Sequence, residues 1–279
     1  MNSNCTDAAI LARDIAAGKG KRNIFEGLSF VAPRATITAV IGANGTGKTT
    51  LLETLLGIVR LSAGSLQVCG MSPQKARSAV GYVPQTSHLR HDSYLVGREY
   101  VRAAFRGWQW GANWRWREAS AAVDQALAMV DAETLAAARL AHLSGGQRQL
   151  LQVAQALVNQ PRLLLMDEPL AHLDQSAKAR LVGLAACLRD EHGLTVVLST
   201  HDLDPLRHVT DQVLFLGSGQ GQMRAVEYIA LDSTLSPRNP IPMRRIGDRS
   251  GRTIADERNT GNSAAEKRTA SFRRDQVPQ

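Results

Sequence analysis

The stretch "GANGTGKTT", Gly42 to Thr50, constrains this chain more than any other. It fits the spacing G-x-x-x-x-G-K-[ST] with Gly42, Gly47, Lys48 and Thr49. Glycines so placed let the backbone turn tightly, and successive N–H groups then converge on one anion. The run before it, "ATITAVI" (Ala35 to Ile41), is β-branched and apolar on both faces, which predicts a buried parallel strand. The run after it, "TTLLETLLGIV", predicts a helix ending near "RLSAG". A strand, a glycine-rich turn and a helix N-terminus in that order make a phosphate cradle. Ala43, Asn44, Gly45 and Thr46 form its turn, and Thr50 follows in the helix. Lys48 is the cation for β- and γ-phosphates, and the Thr49 hydroxyl is a ligand for Mg²⁺.

The rest of the chain alternates in the same manner. "GSLQVCG" and "AVGYVPQ" read as short strands, and "RLLLMDEP", "LTVVLSTHD" and "DQVLFLG" as buried ones. "QSAKARLVGLAACLRDEHG" reads as a long helix with glycine at its end. Strands alternating with helices predict an α/β parallel sheet. From about Val96 to Pro161 the alternation gives way to a helical block, read as a subdomain inserted into the sheet domain. Within it, "EASAAVDQALAMV" puts Ala122, Ala126, Met129 and Val130 on one stripe. "SGGQRQLLQVAQALVNQP" is a helix opening on serine and glycines.

Two carboxylates fit the cradle. Asp167 ends the apolar run "LLLMDEP" and is expected to hold Mg²⁺ through water. Glu168 follows at the carboxyl edge of the sheet, where ligands collect, and is placed to take a proton from the attacking water. Gln85, in "GYVPQ", could bind Mg²⁺ or that water. His201, at the end of "VVLST", could hydrogen-bond a γ-phosphate.

Composition bounds the remainder. The chain has 279 residues, 44% hydrophobic, and its apolar runs are too short to span a bilayer. The N-terminus lacks the order of a secretory signal, so a cytosolic protein is expected. Cys5, Cys69 and Cys187 are scattered without metal or disulfide spacing. His88 and His91 sit in a polar "SHLRHD" that suits solvent better than a metal. Of the net charge of +8, much lies beyond Ser236, where ten Lys/Arg face five Asp/Glu. That stretch, residues 236–279, is poor in large apolar residues, which predicts a disordered tail behind a domain of residues 1–235. The tail could touch acidic headgroups or nucleic acid, or be merely solvated.

A second glycine-rich stretch, "LSGGQ" at Leu143 to Gln147, has no strand leading into it. Ser144, Gly145 and Gly146 open a helix, so their N–H groups offer another anion site. "GANGTGKT", the Gln of "YVPQ", "LSGGQRQ", "LLLMDEP", "LAHLD" and "STHD" occur here in one order. In order and approximate spacing they resemble ATP-binding-cassette (ABC) ATPases, over about Ile10 to Gly217. The resemblance implies a P-loop NTPase with a RecA-like parallel core, an N-terminal antiparallel β subdomain and the inserted helical subdomain. It implies ATP and Mg²⁺ as ligands and a head-to-tail dimer with a second copy. In that dimer Ser144, Gly145, Gly146 and Gln147 cap the γ-phosphate held by the other subunit. Asp174, in "LAHLD", matches the loop that communicates across the interface.

The sequence also departs from that family. Lys19 stands where an aromatic normally stacks on adenine. Arg34 and Ala35 replace a Gly-Glu pair, and Gln155 in "AQAL" replaces an arginine. None of these handles phosphate, so activity is expected to survive. Without spans of its own, a transport ATPase needs an integral-membrane permease and sits peripherally on the cytoplasmic face. All four tryptophans lie between Trp108 and Trp116, either packed in the helical subdomain or exposed towards that permease. "HDSYLVGREYV" resembles a stretch in importers of zinc, manganese and chelated iron. The expectation is therefore metal or metal-chelate import, with an extracytoplasmic substrate-binding protein. Export is the alternative. Action on nucleic acid or ribosomes is remote, because such members mostly carry two cassettes, and no specific nucleic acid is expected.

Overall fold

The computed structural model describes residues 8–19, 22–85, 94–106, 116–219 and 222–230. The tail, the histidines at 88 and 91, three of the tryptophans and the side chain of Lys19 lie outside the described residues. Two long strands, β1 (Ala8–Lys19) and β2 (Arg22–Pro33), open the chain as an antiparallel pair. β3 (Ile37–Ile41) leads into α1 (Lys48–Leu55), and β4 (Leu61–Val68) returns to pair with β1. A short α2 (Pro73–Ala76) precedes β5 (Val80–Val83). The helical block supplies α3 (Gly97–Arg102), α4 (Trp116–Met129) and α5 (Gly145–Leu157). The core then resumes with β6 (Leu163–Met166), α6 (Gln175–His192), β7 (Thr195–Thr200), β8 (Gln212–Gly219) and β9 (Gln222–Ala230).

The nine strands among the described residues form one sheet in the order β4-β1-β2-β9-β8-β3-β7-β6-β5. The block from β8 to β5 is parallel throughout, as the alternation predicts. β4, β1 and β2 are antiparallel, as the resemblance implies, and a single described bridge, Phe25 to Met223, joins β2 to β9. Strands buried on both faces read as unbroken apolar runs. In β7, Val196 and Leu198 pack into a core shared with α3 to α6, while Val197 packs into a second core with β1, β2 and α1.

Three expectations need correction. The helix after the cradle stops at Leu55, well before "RLSAG". Gly57 turns there at φ 68, where a Cβ would meet Gln74 N at 2.9 Å, and Leu61 already belongs to β4. The strand before the cradle starts at Ile37, because Ala35 occupies a turn at φ 51. Glycine is the unstrained choice at such a φ, so of the two departures Arg34 and Ala35 it is Ala35 that strains the turn. The buried stripe of α4 is Ala119, Val123, Ala126 and Leu127, continued by Val130, with Ala122 and Met129 only half-buried at its edge. That set repeats the spacing read from sequence, shifted three residues towards the start of the helix.

The helix ends are written locally. α5 carries a reciprocal cap: Gln147 N donates to Ser144 Oγ and Ser144 N to Gln147 Oε1. In α6, Asp174 accepts from Ala177 N at 2.8 Å, and Gly193 closes the helix at φ 62. α3 is held to α5 by amides. Gln155 Nε2 donates to Tyr100 O, Asn159 Nδ2 donates to Ala104 O, and Asn159 Oδ1 accepts from Arg106 N. Gln155 thus uses its departure from arginine to fix the neighbouring helix.

Candidate functional site

The cradle has the backbone its glycines require. Gly45 and Gly47 sit at φ 80 and 88, left-handed values that disfavour side chains. A Cβ on Gly42 would collide with Thr46 Oγ1 and the Leu216 carbonyl. Thr46 Oγ1 donates to Ala43 O at 2.7 Å and braces the turn. The first N–H groups of α1 have no intrahelical acceptor, so the loop and helix end face a phosphate site with donors.

Lys48 is buried, and its ammonium is occupied within the chain. Nζ donates to Gly42 O at 2.7 Å and Ala43 O at 3.3 Å, and pairs with Glu168 Oε1 at 2.9 Å. The last contact is an ion pair rather than an aligned hydrogen bond. Glu168 Oε2 meets His201 Nδ1 at 3.0 Å. An ionised carboxylate only accepts, so His201 Nδ1 is the donor in this contact, on a ring that is largely exposed. Burial pushes the Glu168 carboxyl up, but Lys48 and then His201 outweigh it and hold the group below its ordinary range. Glu168 is also strained, at φ 46.

Asp167 is buried and both its oxygens are taken. Thr49 Oγ1 donates to Oδ2 at 2.7 Å, and Ser199 Oγ donates to Oδ1 at 2.6 Å. The Thr49 hydroxyl and the Asp167 carboxylate are hard oxygen donors already in contact. They suit Mg²⁺, which keeps several waters and needs few protein ligands. No cluster of three or more His, Cys, Asp or Glu that could hold a metal occurs among the described residues. Tyr82, on β5, has its phenol pushed up to about 12, by burial first and then by the charges of Asp167 and Glu53.

The structure therefore brings together the cradle, Lys48, Thr49, Asp167, Glu168 and His201. Gln85 lies exposed after β5, and no described hydrogen bond joins it to Thr49 or Asp167. Ser144, Gly146, Gln147 and Asp174 form a different group. They line a cavity of about 250 Å³ between the starts of α5 and α6, together with Ala177 and Arg180. Asp174 is held below the usual carboxylate range by the Ala177 N–H and the Ser176 hydroxyl. No described hydrogen bond or ion pair joins this group to Lys48 or Glu168. Sequence reading missed Ser199. Its only signal was a hydroxyl directly after the apolar run Val196 to Leu198 of a buried strand.

A cradle at one strand end, facing an acidic pair from the same sheet edge, defines a P-loop nucleoside triphosphatase. The model of the ABC transporter family matches residues 25–171, about half of the chain, and the protein belongs to the ATPases of that family. It is 31% identical over 219 residues to the zinc import ATP-binding protein ZnuC of Magnetococcus marinus, covering 77% of this chain and 76% of that protein. To the Nod factor export ATP-binding protein I of Paraburkholderia xenovorans it is 34% identical over 228 residues, covering 77% and 69%. Among solved structures, CbiO1 of Clostridium perfringens, part of the ABC transporter complex CbiONQ, superimposes with a TM-score of 0.70. The two are 25% identical, over 81% of this chain and 89% of that one.

Proposed function

We propose that this ABC transporter ATPase energises import of a metal ion or metal chelate through a separate permease, working as a head-to-tail dimer at the cytoplasmic membrane face. An extracytoplasmic binding protein delivers the cargo. The observation that carries the catalytic part is the convergence of Lys48 and His201 on Glu168, beside the Thr49–Asp167 pair. Lys48 binds the phosphates. Glu168 accepts the proton of the attacking water, and His201 offers Nε2 to the γ-phosphate. Thr49, Asp167 and Gln85 would hold Mg²⁺, which would neutralise phosphate charge. The separate group at Ser144–Gln147 and Asp174 serves the nucleotide of the second copy.

Support for metal import comes from the likeness to a zinc importer subunit and from the "HDSYLVGREYV" segment. Export is the second reading, favoured by the likeness to a Nod factor exporter subunit. No described helix is long and apolar enough to cross a membrane, which fits a pore supplied by another chain.

The test is the Glu168→Gln protein. It is expected to bind ATP, to lose nearly all hydrolysis and to accumulate as an ATP-bound dimer. Hydrolysis at the wild-type rate would sink the base assignment. Captured from its native membranes with ATP and Mg²⁺, the variant should bring a multi-span permease and a binding protein. A permease without a binding protein favours export, and ribosomes or nucleic acid alone overturn transport.

A further inference from the structure

We propose that Ser199 is a positioning residue that locks the metal-holding and proton-accepting carboxylates into one unit. The inference rests on the roles proposed above for Asp167 and Glu168.

The sheet order gives the residue its place. β7 lies between β3, which launches the cradle, and β6, which launches the two acids. Ser199 is near the carboxyl end of β7 and wholly buried. Its hydroxyl proton goes to Asp167 Oδ1 at 2.6 Å, and its oxygen accepts the N–H of Glu168 at 2.8 Å. One side chain therefore uses both its donor and an acceptor on two adjacent acids. The carboxylate of Asp167 is gripped from both flanks, by Thr49 on Oδ2 and by Ser199 on Oδ1, which fixes its plane. The backbone of Glu168 is held by Ser199 at a left-handed φ of 46, which a glutamate would otherwise leave. That backbone angle aims the carboxylate at Lys48 and His201.

A serine that merely satisfied itself in the core would need one partner, and a valine or leucine would fill the strand as its neighbours do. A hydroxyl can donate to the carboxylate of one acid and accept the N–H of the next, which an apolar side chain cannot. Groups that orient ligands in this way typically change metal affinity or activity about 10- to 100-fold when removed.

The test compares Ser199→Ala with Ser199→Thr in the full chain. In Ser199→Ala, kcat is expected to fall about 10- to 100-fold. The Mg²⁺ concentration for half-maximal ATPase should rise, while ATP affinity measured without Mg²⁺ stays at the wild-type value. Ser199→Thr keeps the hydroxyl and should recover most of both losses. The Mg²⁺-free affinity also reports whether each variant has folded around an intact cradle. Three results would overturn the proposal: a wild-type kcat and Mg²⁺ dependence in the alanine variant, an equal loss of Mg²⁺-free binding, or equal losses in folded Ala and Thr variants. Should Glu168→Gln retain hydrolysis, the roles of the acids fail instead, and that result is read independently of Ser199.

Discussion

Lys48 contacts both its own loop and Glu168. Lys48→Ala is expected to weaken ATP binding at least 10-fold, the loss of one charge-assisted contact of about 1.5–3 kcal/mol. Unchanged affinity by titration would refute its phosphate role. The Glu168 carboxyl has a folded pKa below its ordinary 4.5. A depressed value means stability that is present above 4.5 and lost as the pH falls through the folded value. The urea midpoint of the nucleotide-free protein should therefore drop towards that of Glu168→Gln on acidification below 4.5, and a constant gap would contradict the sign. Ala35, at φ 51, holds a conformation that glycine adopts freely. Ala35→Gly is expected to stabilise by about 0.5–1 kcal/mol, because relief of left-handed strain exceeds the extra chain entropy. A lower melting temperature would count against it. At this scale Lys48, Thr49, Asp167, Glu168 and His201, which the structure brings together, were each legible because each lies inside a spaced motif. The sequence did not disclose Ser199, whose partners are remote in sequence and meet only through strand order.

Among the elements, strand and helix identity followed from apolar period, but ends followed from φ values that no period encodes, as at Gly57 and Ala35. The strand β4 was legible in part in "GSLQVCG", whereas β1, β2 and the antiparallel pairing were implied by resemblance alone. The amide ladder from α5 to α3 has its own consequence. Gln155 and Asn159 satisfy carbonyls at the end of α3, and each such bond contributes about 1 kcal/mol. Replacing either by leucine should accelerate amide exchange across residues 97–106 without affecting α1. Exchange unchanged at 97–106 would show that apolar packing alone holds the helix.

For the whole molecule, the cradle and the group at Ser144–Gln147 sit on different parts of one subunit, and the two glycines of the latter are not equivalent. A Cβ on Gly145 meets nothing within 4 Å, whereas one on Gly146 lies 2.9 Å from Ala177 Cβ. Gly145→Ala should therefore leave melting and ATP binding intact and yet lower ATPase at least 10-fold by obstructing the second copy's nucleotide, a transition-state loss of about 1.4 kcal/mol or more. Full activity would argue against the head-to-tail sandwich. Gly146→Ala should destabilise the subunit itself, as overpacking does by about 1–3 kcal/mol. The tail at 236–279 was legible only as a composition. Its removal is expected to leave kcat unchanged, and a large loss would make it part of the catalytic unit.

The contact of Lys48 with Glu168 also ties phosphate binding to the solvent's acidity. A polyphosphate that draws Lys48 away removes the foremost group holding the Glu168 proton off. The carboxylate then becomes more basic at the moment a water needs deprotonating. Loading the site with Mg²⁺-free nucleotide should thus take up protons, increasingly so as the pH approaches the carboxylate range. Calorimetry in buffers of different ionisation enthalpy would register that uptake, and Glu168→Gln should abolish it.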